Sequence, residues 1–563
     1  MSATEADYII VGGGLTGCTL ARDQMLLITQ MLVRPSAVLL LQGLTWIGRI
    51  QVFLMPQQIT EFISTMLGKL LGVGVLVTNL VLCPSTLTCY VANPEEYLIL
   101  VSTLLILVVN YAGWSRGNAA DYDAWGAIVD DSRWSYAGLL PFFKKSEKYF
   151  DKKADPEQHG FEGPIHIIST SASDPDRQYG LREPLLKAWT NIGVKYNPDP
   201  VGSTEGISEY LENWRDGQRQ PAQKAYGIEG ITVITNKRVN RIIFSKDEEE
   251  RPKASGVQLS DGRFIKAHKE VILSAGTFGT PQVLMLSGIG SASALSALGI
   301  QVVHDAPEVG QNLFDHFAHF QLWKVRHPEE GLAMGNPIWN KPAYFKGMPC
   351  DWVVNERVPS NFLERVEEST QDSDSSLLKA GGCHIESSVI YAPAGIPGLP
   401  MNGTFISSSI MLLLPTSRGA VTLASTSPSD LPLITSNYYS TKADVACLIY
   451  GTRRMLQVML ETSPAKEYIE GEVAPPGQAE LSPDSLDEEI EQRIRAVGMS
   501  HKHAAGTVAM GKVVGSDLKV LGVGGLRVVD GSVLPVPIGG HPQATLYALA
   551  EQAADIILDE ARV

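Results

Sequence analysis

The pattern of apolar and polar positions opens on a short strand. Tyr8-Ile9-Ile10-Val11 is an unbroken apolar run of the kind a parallel sheet buries on both faces. Gly12, Gly14 and Gly17 follow at G-x-G-x-x-G spacing, so strand, tight turn and helix are expected over residues 7–22. Ile231–Ser245, Gly256–Leu259 and Phe264–Ile272 read as three further strands, with Ser260-Asp261-Gly262-Arg263 as a hairpin turn. A helix is expected over Thr280–Leu286, with Pro281 at its first position. Residues 317–440, rich in aromatics, Pro and Ser, suggest a mixed sheet with long loops. Helical periodicity returns at Asp444–Leu460, at Leu486–Ala496 with Ser485 as cap and Glu488 completing a capping box, and at Ala544–Ala561.

Residues 24–109 break this pattern. They hold six charged residues in 86, whereas the other 477 hold 101. Leu70–Pro94 and Tyr97–Ser115 carry no charge at all. Pro84 interrupts the first of these. The strongly apolar part of the second, Tyr97–Val109, falls short of the roughly 20 residues a membrane helix needs. A buried core segment or a faulty stretch of translated sequence accounts for the region better than a membrane span does.

Composition narrows the function. A chain of 563 residues suggests two to four lobes. With 44% apolar and 19% charged residues it is not a disordered chain. A net charge of −15 speaks against nucleic acid as a partner. Six cysteines without a CxxC pair offer neither a disulfide framework nor a zinc ribbon, and no metal site is expected. The start of the chain is short and acidic, unlike a secretory signal, so a cytoplasmic or other intracellular location is expected and membrane attachment is not.

The glycine turn is the first piece of chemistry. Gly12 permits the tight turn, Gly14 lets backbone approach a pyrophosphate, and Gly17 allows close packing of helix on strand. The acidic residue that would hold a ribose after the second strand is missing: Val38–Leu41 is followed by Gln42, and no carboxylate lies between Asp23 and Glu61.

Several later segments carry a more specific resemblance. The run from Gly276 to Gly290, GTFGTPQVLMLSGIG, resembles the second signature of the glucose–methanol–choline (GMC) oxidoreductases, which are FAD enzymes. Val309–His316 resembles the segment that follows it in that family, and Asn110–Asp123 is similar to the stretch beside the flavin ring. His503–Gly511 resembles the active-site histidine segment, Leu526–Pro535 the cofactor segment, and Gly539–Thr545 the turn that bears the second active-site residue. The resemblance covers residues 7–20 and about 109–563. It fails across 24–108, where the length is close to the family's and the composition is not, as an out-of-frame or mis-spliced reading would leave it. Sequencing the transcript across codons 20–112 decides that point.

The resemblance implies an α/β protein with an FAD-binding Rossmann-like domain and an α+β substrate domain with a mixed or antiparallel sheet. The first would be built from 1–149, 226–316 and 497–563, and the second from 150–225 and 317–496. It implies FAD as cofactor, with Gly12, Gly14, Gly17, Asn110, Val239, Asp530 and Gly531 as binding residues. Asp530 has a helix cap as its alternative reading. The implied catalytic pair is His503 as base and His541 as hydrogen-bond partner of the substrate oxygen. Oxidising an alcohol requires a base for the hydroxyl proton and an electron sink for the hydride, which no side chain supplies. The implied activity is oxidation of a small-molecule alcohol to an aldehyde or ketone, in small-molecule or secondary metabolism, with oxygen or another acceptor taking the electrons. A hydroxynitrile-lyase-type lyase on the same fold and an inactive flavoprotein scaffold are the alternatives. His316, His319 and Cys383-His384 read as structural, and the aromatic stretch Trp339–Trp352 as either pocket lining or core.

Overall fold

A computed structural model describes residues 5–22, 37–40, 80–83, 86–89, 112–228, 230–367, 381–394 and 399–562. Two sheets organise it. In the first, Glu5–Val11 lies between Ala37–Leu40 and Phe264–Leu273, parallel to both. Thr232–Ile234 pairs parallel beyond Ala37–Leu40, and Leu526–Val528 pairs parallel with Val271–Leu273. On the other side an antiparallel meander runs from Phe264–Leu273 through Pro252–Leu259 to Val239–Lys246. A strand-turn-helix unit therefore opens the chain as the apolar run predicts, with residues 15–22 helical.

The expected strand Ile231–Ser245 is two strands. Ile234 pairs parallel with Leu40 and Val239 pairs antiparallel with Leu259, and Asn236 turns between them at φ 58°. Asn tolerates that left-handed conformation better than most residues.

The helix expected from Thr280 starts earlier, at Gly276, and runs to Leu286 with Pro281 inside it. Proline cannot donate to the carbonyl four residues back. Here that carbonyl, of Thr277, accepts the Thr507 hydroxyl at 2.6 Å instead. The helix at Asp487–Val497 is preceded by Leu486 rather than capped by Ser485, and Glu489, not Glu488, accepts the Leu486 N–H at 2.8 Å.

The second sheet is antiparallel. Its order is Ile469–Val473, Phe317–Val325, Phe405–Leu412, Ile385–Ile390, Trp352–Glu356, Gly206–Glu209, with Met499–Ser500 also on Phe317–Val325. One face packs on the helix Lys442–Glu461, where Gly451 leaves room for Ile385 and Ile410. Strand alternation sends Glu386 and its register partner Asn355 to the opposite face. The aromatic stretch belongs to the core: Trp339 and Tyr344 stack at 4.8 Å and, with Trp352, are buried.

Candidate active site

The first sheet delivers the glycine turn. The chain leaves Val11 through Gly12 at φ 121° and enters the helix 15–22. A side chain at Gly12 would collide with the Ser274 carbonyl, and one at Gly17 with the Gly12 carbonyl. Gly14 is different, because nothing lies within 4 Å of where its Cβ would be. Positions 12 and 17 thus serve backbone packing. The space over Gly14, at a helix N-terminus between parallel strands, fits the phosphates of a dinucleotide. Val239 is buried and opens its strand. Asn110 and Gln42 lie outside the described residues.

Asp530 takes the helix-cap role, the alternative reading of the sequence. One carboxylate oxygen accepts the Gly276 N–H at 2.9 Å and the Thr280 hydroxyl at 2.5 Å. The other accepts the N–H and hydroxyl of Ser532 at 2.8 and 2.5 Å. It starts the Gly276–Leu286 helix from 254 positions away in sequence, which is why local patterning misplaced that helix. Neighbouring Gly531 accepts the Gly506 N–H at 3.1 Å on its carbonyl.

Segments far apart in sequence converge on His503. Phe314 and Ala505 exchange backbone hydrogen bonds, and Thr277 donates its hydroxyl to the Ala504 carbonyl at 2.7 Å. Asp315 accepts the backbone N–H of His503 at 2.7 Å. Its other oxygen accepts Ser500 Oγ at 2.5 Å and Tyr438 OH at 2.7 Å. Three more imidazoles surround this ring: His501 and His541 at 5.0 Å between centroids, and His316 at 5.1 Å. Enclosure away from water, reinforced by neighbouring imidazoles, holds the His503 pKa well below the usual histidine range. Burial first, then His541, pushes His316 and His501 down to about 3.

His541 is treated differently. Its Nε2 lies 2.8 Å from Oε1 of buried Glu386, on the second sheet. Burial alone would lower its pKa, but the Glu386 carboxylate outweighs that and raises it. The preceding turn is fixed by Asp121, which accepts the Gly539 N–H at 2.8 Å. Burial pushes the Asp121 carboxyl up to about 6 against the backbone donors of Gly539 and Asn118. A cleft opens beside His541, lined among others by Gly113, Trp114, Tyr210, Asn355 and Glu386. Asn355 is buried there, and its Oδ1 has no hydrogen-bond partner among the described residues.

The structure therefore brings His503 and His541 together and joins Gly531 to the His503 segment. It adds Asp121, Asp315 and Glu386, to which the sequence assigned no role, and His316, which the sequence read as structural and which lies against His503. The resemblance of Val309–His316 to a family segment was a usable signal for two of them. Glu386 follows Cys383-His384-Ile385 with no motif to mark it.

A nucleotide-type cradle on a parallel sheet, beside paired histidines, defines the class as a nucleotide-cofactor redox enzyme. Family models described as GMC oxidoreductase match residues 6–318 and 415–550. The chain is 37% identical over 571 residues to GMC-type oxidoreductase acuG of Aspergillus aculeatus, covering 98% of this chain and 99% of that protein. It is 30% identical to dehydrogenase str4 of Strobilurus tenacellus over 80% of each chain. A variant of Aspergillus oryzae formate oxidase, studied for its FAD modification, superposes with a TM-score of 0.77 at 25% identity. That match covers 100% of this chain and 99% of that one. The chain belongs to the GMC oxidoreductase family. It is an FAD-dependent oxidoreductase with the FAD-binding fold of that family. Among the described residues no helix is long and apolar enough to cross a membrane.

Proposed function

We propose that the protein oxidises a small-molecule alcohol to an aldehyde or ketone, in small-molecule or secondary metabolism. The observation that carries this reading is the electrostatic split between two adjacent imidazoles. Burial keeps His503 toward its neutral form, able to take a hydroxyl proton, while Glu386 raises the His541 pKa and favours the protonated form that can donate to the substrate oxygen. FAD, when bound, would supply the acceptor for the hydride, from which electrons would reach oxygen or another acceptor. The cleft beside His541 admits the substrate, and the unpartnered Asn355 Oδ1 offers a hydrogen bond to a second polar group on it.

FAD would be held by the turn Gly12, Gly14 and Gly17, by Asn110 and Val239, and by the backbone at Asp530 and Gly531. The cofactor domain spans 1–149, 226–316 and 497–563, and the substrate domain 150–225 and 317–496. The sheets support this division. Every strand of the first sheet falls in the first set, and every strand of the second falls in the other except Met499–Ser500.

The test is an absorption spectrum of the purified yellow protein under anaerobic conditions, before and after a panel of alcohols. Bleaching by an alcohol is expected. A protein that keeps its colour throughout and cleaves a hydroxynitrile instead would be the lyase.

A further inference from the structure

Only one of the imidazoles around His503 touches it with a nitrogen. His316 Nδ1 lies 3.0 Å from His503 Nδ1, with the rings at 83°. Both side chains are neutral, for the reasons of burial given above. A neutral imidazole carries one N–H and one lone pair, so the contact requires one ring to donate and the other to accept.

The part His503 plays decides which. With its Nδ1 held against His316, Nε2 is the ring nitrogen left to take a substrate proton. A neutral imidazole with a lone pair on Nε2 has its one proton on Nδ1, so His503 donates Nδ1–H and the Nδ1 of His316 accepts it. His316 then carries its own proton on Nε2.

We infer that His316 is a positioning residue that locks His503 in the Nδ1–H tautomer, leaving Nε2 as the nitrogen that takes the substrate proton. The inference rests on the reading of His503 as the base. Adjacent residues divide the labour: Asp315 holds the His503 backbone N–H and His316 sets its ring. Ring partners that orient a functional histidine commonly matter tenfold to a hundredfold.

The test uses holoenzyme labelled with 15N in its imidazoles, the His503 signals being those missing from His503→Gln. In the parent, His503 is expected to show a protonated Nδ1 and a bare Nε2. His316→Asn puts an amide oxygen near the lost Nδ1 and should keep that tautomer, with kcat within about threefold of the parent. His316→Leu should mix the tautomers and lower kcat about a hundredfold with KM and flavin absorbance unchanged. A parent His503 that carries its proton on Nε2 overturns the lock, as does a His316→Leu variant that keeps both tautomer and kcat. If His316→Leu does not fold, the parent and His316→Asn spectra still decide. A His503→Gln variant that turns over like its parent ends the reading of His503 as base, and with it the positioning role, even where the tautomer is as inferred.

Discussion

His503 and His541 stand 5.0 Å apart between ring centroids, yet they belong to opposite kinds of site. Around the His503 ring stand other imidazoles, which oppose a charge, while the Asp315 carboxylate is taken up by the His503 backbone N–H, Ser500 and Tyr438. Around His541 a buried carboxylate rewards a charge enough to overcome burial. The residue type is the same, so the difference lies in what the second sheet places behind each ring. Identical side chains can thus be set as base and as cation by one glutamate, which is how environment assigns acid and base roles.

The largest expected effect removes the base. His503→Ala should lower kcat about a thousandfold, within the range of general-base catalysis, with flavin content unchanged. Stopped-flow reduction of the bound flavin by substrate measures it, and parent-like reduction would end the assignment. Next comes the charge on the other side. Glu386→Gln keeps the shape and removes the carboxylate, and kcat/KM should fall about a hundredfold, as for loss of a donor aimed at developing charge. The sign of its pH effect follows from the same contact. Glu386 raises the His541 pKa, so the glutamine variant should lose activity at lower pH than the parent as pH rises. An unshifted alkaline limb would show that His541 does not carry the charge.

These two halves were unequally legible in the sequence. The glycine turn sits in a short segment whose spacing carries its chemistry, and both catalytic candidates sit in short segments legible through their resemblance to the GMC family. Gly12 and Gly17 could be read because backbone-to-backbone packing tolerates nothing larger. The Asp530 cap was open only as an alternative reading with no helix attached to it, and the Asp121 anchor and the Glu386 charge had no local sign. Each acts on a backbone group or ring more than 150 positions away, and local pattern holds no record of such a contact. The break at Asn236 and the early start of the Gly276 helix were missed for the same reason, since their causes are pairing partners and caps supplied by distant strands.

Asp121 tests the backbone side of the comparison. Asp121→Ala removes the acceptor of the Gly539 N–H, two residues before His541, and frees that turn without touching His503. A loss in kcat of about tenfold is expected, less than a full ångström of misplacement costs. Asp121→Asn, which still offers an oxygen, should restore most of it. Equal losses in both variants would mean that the carboxylate charge, rather than the held turn, is what counts.

The smallest effect is on stability, and the two halves should give it opposite signs. The His316 pKa is depressed to about 3 by burial, so the unfolded chain binds a proton there that the folded chain refuses. Its contribution is fully present above the unfolded pKa near 6.5 and is lost as pH falls below it, at about 1.4 kcal/mol per pH unit. His541 runs the other way. Its pKa is raised by Glu386, so its contribution is fully present below about 6.5 and is lost as pH rises through the folded value. Melting temperatures of the parent, His316→Asn and His541→Asn over pH 5 to 9 measure both. The parent should lose its advantage over His316→Asn on the acid side and over His541→Asn on the alkaline side. Parallel curves for the two variants would mean that the rings share one environment, and the division of the site into a neutral half and a charged half would fall.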